Sequence, residues 1–316
     1  STLPFTEVIA FRIFERDCMG TKFTLLIDEK DEEKSRNGAN AAFKEAERLN
    51  LILSDYDTSS ELSRFSESSL TGKKFRLCHD LFSVLSHGQK LATKTKGDFD
   101  PTLGPLSRLW RIARFQKKMP TESKLSEAIA RVGHEKMILC KVEQTGRLTV
   151  PGMLLDLGGI AKGYAADRML KVLRDRGLPR CLIDAGGDLV IGSAPAGAKG
   201  WKVAIGGQRH PELPVLLLSD IAVATSGDIE QYVDFGGKRF SHLINPHTGL
   251  GLVTRSQVTV LASSGMEADS FASAFLVMGL AESRTFIEEV EGVKAYYLRK
   301  RSSGATLSIL SSKERE

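Results

Sequence analysis

The spacing of apolar residues divides the chain into helical and extended stretches. From Ala42 to Leu53 the apolar positions recur with the period of an amphipathic helix, which we expect to end near Ser54 and Asp55. Another helix is predicted to begin at Thr121, whose hydroxyl can accept a hydrogen bond from the backbone of the following turn. The same periodicity predicts further helices over residues 80–94, 160–176 and 266–278.

Short runs of β-branched, aromatic and other apolar residues predict strands. Met19-Gly20-Thr21 lies in the connection between the first two strands, and a hairpin over residues 136–150 turns around Gln144-Thr145-Gly146. Single strands are predicted over residues 8–14, 22–27, 153–155, 180–183, 189–191, 202–205, 215–218, 229–235 and 258–261. Because strands come in runs and not in strict alternation with helices, the pattern favours the α+β class. Neither a low-complexity linker nor an internal repeat is present, so we expect one domain over residues 1–316 with two lobes.

Composition and charge narrow the class of protein. The 316 residues include 44 Lys and Arg against 39 Asp and Glu, which gives a formal net charge of +5, and 41% are hydrophobic. This apolar fraction supports a sizeable core and excludes disordered and fibrous classes. The positive surplus is too thin for a nucleic-acid-binding surface, and the basic run 298–302 is expected to be a solvated strand end. The longest stretch without charges, residues 240–254, contains His, Asn, Pro and Gly, so no transmembrane helix is predicted.

The four cysteines do not form a metal-binding pattern. Cys18, Cys78, Cys140 and Cys181 lie far apart, without a C-x-x-C pair or a paired Cys/His spacing. We therefore expect no zinc site and interpret them as small buried apolar side chains. The chain opens at Ser1 without a charged segment followed by an apolar one, and we expect that an export signal has been removed or never existed.

A glycine-rich segment lies between an apolar run and a predicted helix. In Asp-Leu-Gly-Gly-Ile-Ala-Lys-Gly, residues 156–163, Gly158 and Gly159 let backbone N–H groups approach an anion without a Cβ in the way. Lys162 falls in the first helical turn, where a cation is unfavourable unless a negative group is near, and this indicates a phosphate or carboxylate partner. The segment is neither a P-loop nor a G-x-G-x-x-G motif, and taken alone a plain tight turn explains it more simply.

Asp269 and Ser273 are spaced to share one face of the last predicted helix. At positions i and i+4 their carboxylate and hydroxyl lie one above the other. Such a pair suits Mg²⁺, which takes one or two hard oxygen ligands from protein and the rest from water and phosphate. The alternative is that an acidic residue near a helix start stabilises the helix dipole.

Two further segments have the composition of loops. Residues 241–249 contain His242 and His247 together with Asn, Pro, Thr and Gly, which is typical of a functional loop. Residues 97–101, Gly-Asp-Phe-Asp-Pro, are predicted to form a turn. A surface hydrogen-bonding group is the plainer interpretation of a single histidine in a turn, and neither segment identifies a function alone.

Seven motifs become informative when they are taken together and in order. They are Met19-Gly20-Thr21, Ser54-Asp55-Tyr56 with Glu61-Leu62-Ser63-Arg64-Phe65, residues 97–105, residues 156–164, residues 184–188, residues 241–249 and Glu267-Ala268-Asp269. This set resembles the ApbE-type FAD:protein FMN transferase family, over about Met19 to Gly279. The resemblance implies a compact two-lobed α+β fold with mixed or antiparallel sheets and flanking helices.

The resemblance also implies two ligand sites. The FAD site would use Met19, Tyr56, Asp98, Phe99, Asp100, Asp156, Lys162 and Ile244. The Mg²⁺ site would use the Gly159 carbonyl, Asp269 and Ser273. The assignment is physically sensible, because aromatic side chains can stack on the rings of FAD, and the glycine turn with Lys162 offsets the charge of its pyrophosphate.

Three positions depart from the family pattern. The chain has His247 where the family usually has arginine, Asp98 where alanine is frequent, and Ser273 where threonine is frequent. Serine keeps the hydroxyl ligand. Asp98 adds a negative charge near a phosphorylated ligand, so we expect its side chain to point away.

The implied activity is transfer of the FMN moiety of FAD to a Thr or Ser hydroxyl of an acceptor flavoprotein, with Mg²⁺ as cofactor and release of AMP. We expect His242 to take the hydroxyl proton, since a neutral imidazole is available near pH 7, and Asp269 to act through the metal. Two alternatives stay open: hydrolysis of FAD to FMN and AMP, and a carrier that holds FAD without chemistry. Retention of Asp269 with the Ser273 hydroxyl argues against the carrier, because holding a flavin needs no metal.

The resemblance finally implies a location. Family members are commonly exported lipoproteins, so we expect the periplasmic face of a bacterial inner membrane, with the cytoplasm as the alternative. Membrane contact would come only through an N-terminal lipid anchor outside this chain. FAD and an acceptor flavoprotein are the expected partners.

Overall fold

Helices and antiparallel sheets make up the protein, whose computed structural model describes residues 11–206, 210–227, 232–235 and 237–312. The helices are α1 (Glu32–Leu53), α2 (Glu61–Glu67), α3 (His79–Lys94), α4 (Gly104–Gln116), α5 (Glu122–Ile129), α6 (Ala161–Asp175), α7 (Gly265–Met278) and α8 (Leu280–Ile287). The strands are β1 (Arg12–Cys18), β2 (Thr21–Ile27), β3 (Phe75–Arg76), β4 (Met137–Cys140), β5 (Thr145–Leu148), β6 (Cys181–Ala185), β7 (Asp188–Ile191), β8 (Trp201–Ala204), β9 (Val215–Leu218), β10 (Ile221–Gly227), β11 (Tyr232–Phe235), β12 (Lys238–Ser241), β13 (Ser256–Ala262), β14 (Lys294–Arg301) and β15 (Gly304–Ser311). The predicted α+β class is confirmed.

One eight-stranded sheet organises these elements. Its strands follow the order β1-β2-β6-β7-β10-β13-β14-β15, and each neighbouring pair is antiparallel. Strand β13 is buried along its whole length, because α7 covers one face and a smaller apolar cluster around Trp201 and Tyr296 covers the other. Smaller sheets pair β3, β5 and β4, then β8 with β9, and β11 with β12.

Three apolar clusters stabilise the fold. The largest joins α1, α3, α6 and α7 to the main sheet, and the second lies beneath β8 and β9 on its opposite face. The third packs α4 and α5 against β12 through Leu106, Trp110 and Phe240. Trp110 also donates a hydrogen bond from Nε1 to the Gly249 carbonyl at 2.7 Å, which ties the loop 241–249 to α4. The division into two lobes within one domain stays a prediction.

The first hairpin is tighter than the sequence predicted. Its register pairs Cys18 with Thr21, so only Met19 and Gly20 form the turn. Both have positive φ, 50° and 75°, as a two-residue hairpin turn of the favoured twist requires. The predicted strand 8–14 therefore extends further, to Cys18, while residues 8–10 lie outside the described part of the chain.

Several other predictions were wrong in extent or missed an element. Helix α1 begins at Glu32, ten residues before Ala42, because the Asp31 side chain accepts a hydrogen bond from Lys34 N. Residues 153–155 form no strand: Leu155 N donates to Ser66 Oγ, a side-chain partner in place of a neighbouring strand. Helices α2, α4 and α8 and strands β3, β10, β12, β14 and β15 were not predicted.

The remaining predicted elements are confirmed within a few residues. Thr121 caps α5, residues 136–150 form the β4–β5 hairpin, and the basic run 298–302 ends β14. The predicted strand 229–235 is described only over Tyr232–Phe235. In the described residues, all four cysteines are free and no helix has the length and apolar character to cross a membrane.

Helices α6 and α7 approach each other closely at their first turns. A Cβ placed on Gly163 would lie 2.0 Å from the Gly265 carbonyl oxygen, and one on Gly265 would lie 2.5 Å from the Gly163 carbonyl oxygen. Asp167 of α6 completes the crossing, since its carboxylate accepts hydrogen bonds from Gly265 N at 2.6 Å and Met266 N at 2.9 Å. Burial raises the pKa of Asp167 to about 6.

This crossing predicts an asymmetry between two helical glycines. Gly163→Ala is expected to lower the free energy of unfolding by about 1–3 kcal/mol, because its methyl group meets backbone that cannot rotate away. Gly88→Ala in α3 is the matched control, since its Cβ would meet Pro101 at an ordinary 3.4 Å, and it is expected to be neutral or to gain up to about 1 kcal/mol from helix propensity. Urea unfolding measures both; equal stability of the two variants would contradict the close crossing.

Candidate functional site

A cavity of about 610 Å³ opens beside the first turns of α6 and α7. Loops 97–103 and 241–249 face it from the side of α4. It brings together every sequence-predicted site residue except Met19: Tyr56, Asp98, Phe99, Asp100, Asp156, Gly159, Lys162, His242, Ile244, Asp269 and Ser273. Tyr56 and Ser273, which are 217 positions apart in the sequence, thus line the same concave surface.

Met19 lies beside this cavity and not in its wall. It lines a separate depression together with Cys18, Thr21 and the side of α1. The two are neighbours across Gly186, which lines the main cavity and where a Cβ would lie 2.5 Å from Thr21 Oγ1. The role predicted for Met19 therefore depends on a ligand that reaches past Gly186.

The cavity floor carries a buried cluster of opposite charges. Lys162 Nζ lies 2.6 Å from Asp188 Oδ2 and 3.9 Å from Asp269 Oδ2, and Asp269 Oδ2 also accepts a hydrogen bond from Gly163 N at 3.1 Å. Burial acts to lower the pKa of Lys162, but Asp269 and Asp188 outweigh it and hold that pKa above its ordinary value. Burial raises the pKa of Asp269, and the nearby charge of Asp188 adds to the effect against the opposing Lys162.

Asp188 is the member of this cluster to which sequence analysis gave no role. It belongs to the motif 184–188 at the start of β7, and its second oxygen, Oδ1, accepts a hydrogen bond from Thr225 N at 3.2 Å. It therefore joins α6 to β10 through one carboxylate. The motif itself was the available signal, but its spacing alone does not show that Asp188 reaches Lys162.

Asp269, Ser273 and Gly159 supply three kinds of oxygen on one side of the cavity. Ser273 Oγ lies 3.1 Å from Ser226 Oγ, and a Cβ on Gly159 would lie 2.8 Å from Ser273 Oγ, so only glycine allows that backbone to lie against the hydroxyl. Carboxylate, hydroxyl and carbonyl are hard ligands of the kind Mg²⁺ takes, and a set this small suits an ion that keeps water and phosphate ligands. The described residues contain no cluster of three or more His, Cys, Asp or Glu arranged for a metal.

The opposite wall is organised by Arg111 of α4, which sequence analysis also missed. Its guanidinium lies 2.5 Å from Asp55 Oδ2 and 3.9 Å from Asp156 Oδ2, and it sits 4.0 Å from the centroid of the Tyr56 ring. Asp156 in turn accepts a hydrogen bond from Gly158 N at 2.8 Å. Arg111 thus links the Tyr56 motif to the glycine-rich turn.

The two aromatic residues predicted to face FAD differ in what they offer. Tyr56 is 77% exposed, whereas Phe99 is only 8% exposed and belongs to the main apolar cluster. Tyr56 therefore has ring surface available for stacking and Phe99 has little. Asp100 is similarly committed, because its carboxylate accepts hydrogen bonds from Thr102 N, Thr102 Oγ1 and His134 N at 2.6–2.9 Å and so shapes its own loop.

Two of the three departures from the family pattern contact each other. Asp98 Oδ1 and His247 Nε2 lie 3.1 Å apart at the edge of the cavity. Burial raises the pKa of Asp98, while His247 acts to lower it. The Asp98 side chain is thus directed to His247, and the loops 97–101 and 241–249 are joined by this contact.

The loop 241–249 holds His242 and Ile244 in the cavity wall. Ser241 N donates to the Leu252 carbonyl at 2.7 Å and Leu252 N donates to the Leu243 carbonyl at 2.8 Å, which fixes the backbone on both sides of His242. Ile244 is buried in the α4–α5 cluster. His242 lines the cavity, and its role as a base stays a prediction.

Comparison with known proteins identifies the family. Residues 19–297 match the ApbE family. This chain belongs to the ApbE family. It is 27% identical to the FAD:protein FMN transferase of Klebsiella pneumoniae over 96% of this chain and 89% of that protein, and 31% identical to that of Haemophilus influenzae over 78% and 73%.

Solved ApbE structures share the fold. A mutant of the flavin transferase ApbE from Vibrio cholerae superposes with a TM-score of 0.86 at 27% identity, covering 96% of this chain and 98% of that one. The ApbE protein of Thermotoga maritima gives a TM-score of 0.83 at 25% identity, covering 96% and 97%. The fold and family expected from the seven motifs are confirmed, while the roles of individual site residues stay predictions.

The charge cluster predicts a stability difference between two aspartates. Asp188→Asn is expected to lower the free energy of unfolding by about 1–3 kcal/mol, because it removes the nearest partner of the buried Lys162 ammonium. Asp175→Asn is the matched control, because Asp175 pairs with Lys171 on the exposed face of α6, the helix that also carries Lys162. This substitution should lower the free energy of unfolding by less than about 0.5 kcal/mol. Chemical unfolding of both variants at pH 7 decides; an equally small effect would mean that Asp188 does not stabilise Lys162.

Proposed function

We propose that this protein transfers the FMN moiety of FAD to a Thr or Ser hydroxyl of an acceptor flavoprotein, with Mg²⁺ as cofactor and AMP as the second product. The observation that carries the proposal is the cavity floor, where Lys162, Asp269 and the Gly158–Gly159 turn meet at the start of α6. The names of the relatives, FAD:protein FMN transferase, support the same reaction.

The cavity is suited to FAD in both charge and shape. Helix α6 begins beside the cavity with the positive end of its dipole, and Lys162 adds a full positive charge, which supports placing the pyrophosphate here. Tyr56, with its exposed ring, offers a stacking surface for one of the ring systems of FAD. The Arg111 guanidinium packs against one face of the Tyr56 ring and fixes the position of the ring.

The residues available for Mg²⁺ are the Gly159 carbonyl, Asp269 and Ser273. Mg²⁺ bound there would neutralise the negative charge that develops on the pyrophosphate during transfer. Asp269 and Ser273 hold fixed positions because α7 is packed against the main sheet and against α6. Asp188 orients Lys162 through the 2.6 Å contact between its Oδ2 and Lys162 Nζ.

The chemistry requires one bond to form and one to break at phosphorus. The acceptor hydroxyl oxygen attacks the phosphorus of the FMN half, the bridging bond to the AMP half breaks, and AMP leaves with the bridging oxygen. We assign His242 as the base that takes the hydroxyl proton, because it lines the cavity on a loop fixed at both sides. If water enters in place of the acceptor, the same groups hydrolyse FAD to FMN and AMP.

A single incubation distinguishes transfer from the alternatives. Protein, FAD and Mg²⁺ are mixed with and without a candidate acceptor, and both AMP and flavin fluorescence that migrates with the acceptor in a denaturing gel are measured. Covalent flavin on the acceptor with equimolar AMP is the expected result. AMP without covalent flavin would make the protein a pyrophosphatase, and neither product would make it a carrier.

Substitution of the carboxylate tests the metal assignment. Asp269→Ala is expected to reduce AMP release by roughly 10² to 10³, because a major charge-stabilising group is lost, while FAD binding is weakened but retained through the other contacts. Ser273→Thr keeps the hydroxyl and should be nearly silent, whereas Ser273→Val should not be. AMP release at saturating Mg²⁺ measures all three; wild-type turnover in Asp269→Ala would refute the assignment.

His242 can be tested separately as the base. His242→Ala is expected to slow transfer by about 10² to 10⁴ with FAD binding retained, and the loss should shrink as pH rises because hydroxide can take the proton. Transfer rates and FAD dissociation constants between pH 6 and 9 provide the measurement. His242→Gln is the control: recovery of activity and FAD affinity by this variant would assign His242 a structural part in the loop in place of proton transfer.

We also propose that the protein works on the periplasmic face of a bacterial inner membrane, held there by an N-terminal lipid anchor. The only support for this location is that members of the family are commonly exported lipoproteins. The alternative location is the cytoplasm. Fractionation of cells that express the natural gene decides between them.

A further inference from the structure

A second groove lies on the other side of Arg111 from the proposed FAD cavity. It has a volume of about 850 Å³ and runs between α2 on one side and α4 and α5 on the other. Its floor is the extended segment 152–155, which leads directly into Asp156 of the cavity. The proposed reaction uses none of the residues that line this groove alone.

The groove is continuous with the cavity. Asp55, Tyr56 and Arg111 line both, so at this point the two are separated by the width of these side chains. Tyr56 is largely exposed and forms the edge that they share. A chain lying in the groove therefore has one end at the mouth of the site where FMN would be transferred.

The groove walls combine exposed apolar side chains with positive charge. Leu70 and Ile112 are 66% and 44% exposed on opposite sides of it. Arg108, Lys124 and Arg131 also line it and form no ion pair among the described residues. Four cations and three carboxylates line the groove, and the pair between Asp55 and Arg111 leaves three cations against two carboxylates.

Helix α4 extends this positive charge from the groove to the cavity. It contains three arginines and no acidic residue: Arg108 faces the groove, Arg111 lies between groove and cavity, and Arg114 lines the cavity. Spaced three apart, they lie along one side of the helix. An acidic chain lying in the groove would meet complementary charge at Arg108, Lys124 and Arg131.

We propose that this groove, defined by Leu70, Arg108, Ile112, Lys124 and Arg131, docks an acidic segment of the acceptor flavoprotein and presents its Thr or Ser to the FAD cavity. The inference rests on the proposed transfer function. The inference goes beyond the transfer function by stating where the acceptor binds and what charge the docked segment of the acceptor carries.

Two synthetic peptides test the proposal by direct binding. One has a single Thr flanked by Asp and Glu, and the other has Lys in place of each acid; both carry a fluorophore and are titrated into the FAD-free protein while anisotropy is measured. The acidic peptide is expected to bind at least about tenfold more tightly than the basic one. Equal binding of the two, or displacement of the acidic peptide by FAD, would overturn the proposal.

Charge and apolar variants locate the binding. Arg108→Glu and Ile112→Glu are each expected to weaken the acidic peptide about tenfold and to leave the FAD dissociation constant unchanged, since neither residue lines the cavity. The matched controls are Lys44→Glu on α1 and Val142→Glu in the β4–β5 turn, both exposed and outside the groove, with changes below about twofold. Equal effects of variants and controls would overturn the proposal.

The same peptides separate failure of docking from failure of the proposed function. With FAD and Mg²⁺ present, covalent FMN on Thr is followed by mass spectrometry. Labelling of both peptides at equal rates, unaffected by Arg108→Glu, would contradict the groove and leave the transferase standing. Groove-dependent binding of the acidic peptide without labelling of any acceptor would contradict the transferase and leave the groove standing.

Discussion

The close crossing of α6 and α7 is the constraint on which the site depends. At Gly163 and Gly265 the two backbones approach too closely for any side chain, and Asp167 seals the contact by capping the start of α7. This approach places Lys162, from the first turn of one helix, beside Asp269 of the other. The main sheet fixes both helices from below, so the separation of these charges is set by packing and not by flexible loops.

Two carboxylates face one ammonium group at this crossing, which suits a negatively charged ligand that is accompanied by a cation. A lysine in the first turn of a helix opposes the helix dipole, and here Asp188 and Asp269 compensate for it. Burial raises the pKa of Asp269, so the cluster holds its carboxylate at a cost that a divalent cation would relieve. The arginines of α4 supply positive charge between the groove and the cavity, whereas aspartates are the more numerous charged residues of the cavity itself.

The sequence predicted which residues meet in the cavity better than it predicted the elements that bring them together. Lys162, Asp269 and Ser273, which all line the cavity, could be selected from local motifs, because turn composition and helical spacing are visible in a single segment. Arg111 and Asp188 were missed, because their importance comes from contacts between elements that are distant in the chain. Arg111 pairs with Asp55, and Asp188 pairs with Lys162. Helix α4 begins shortly after the predicted turn 97–101 and was missed, although Pro105 in its first turn was a usable signal. Strands β14 and β15 form a hairpin late in the chain, where the sequence predicts only a solvated strand end over residues 298–302.

We propose that the α6–α7 crossing builds a joint site for the pyrophosphate of FAD and Mg²⁺. The most direct test of this proposal is the dissociation constant of FAD, by calorimetry or flavin fluorescence, with Mg²⁺ and with a chelator, for the wild type and Asp269→Asn. Mg²⁺ is expected to tighten FAD binding in the wild type and to have little effect in the variant, because metal and pyrophosphate would be coupled through Asp269. An equal effect of Mg²⁺ on both proteins, or no effect on the wild type, would contradict it.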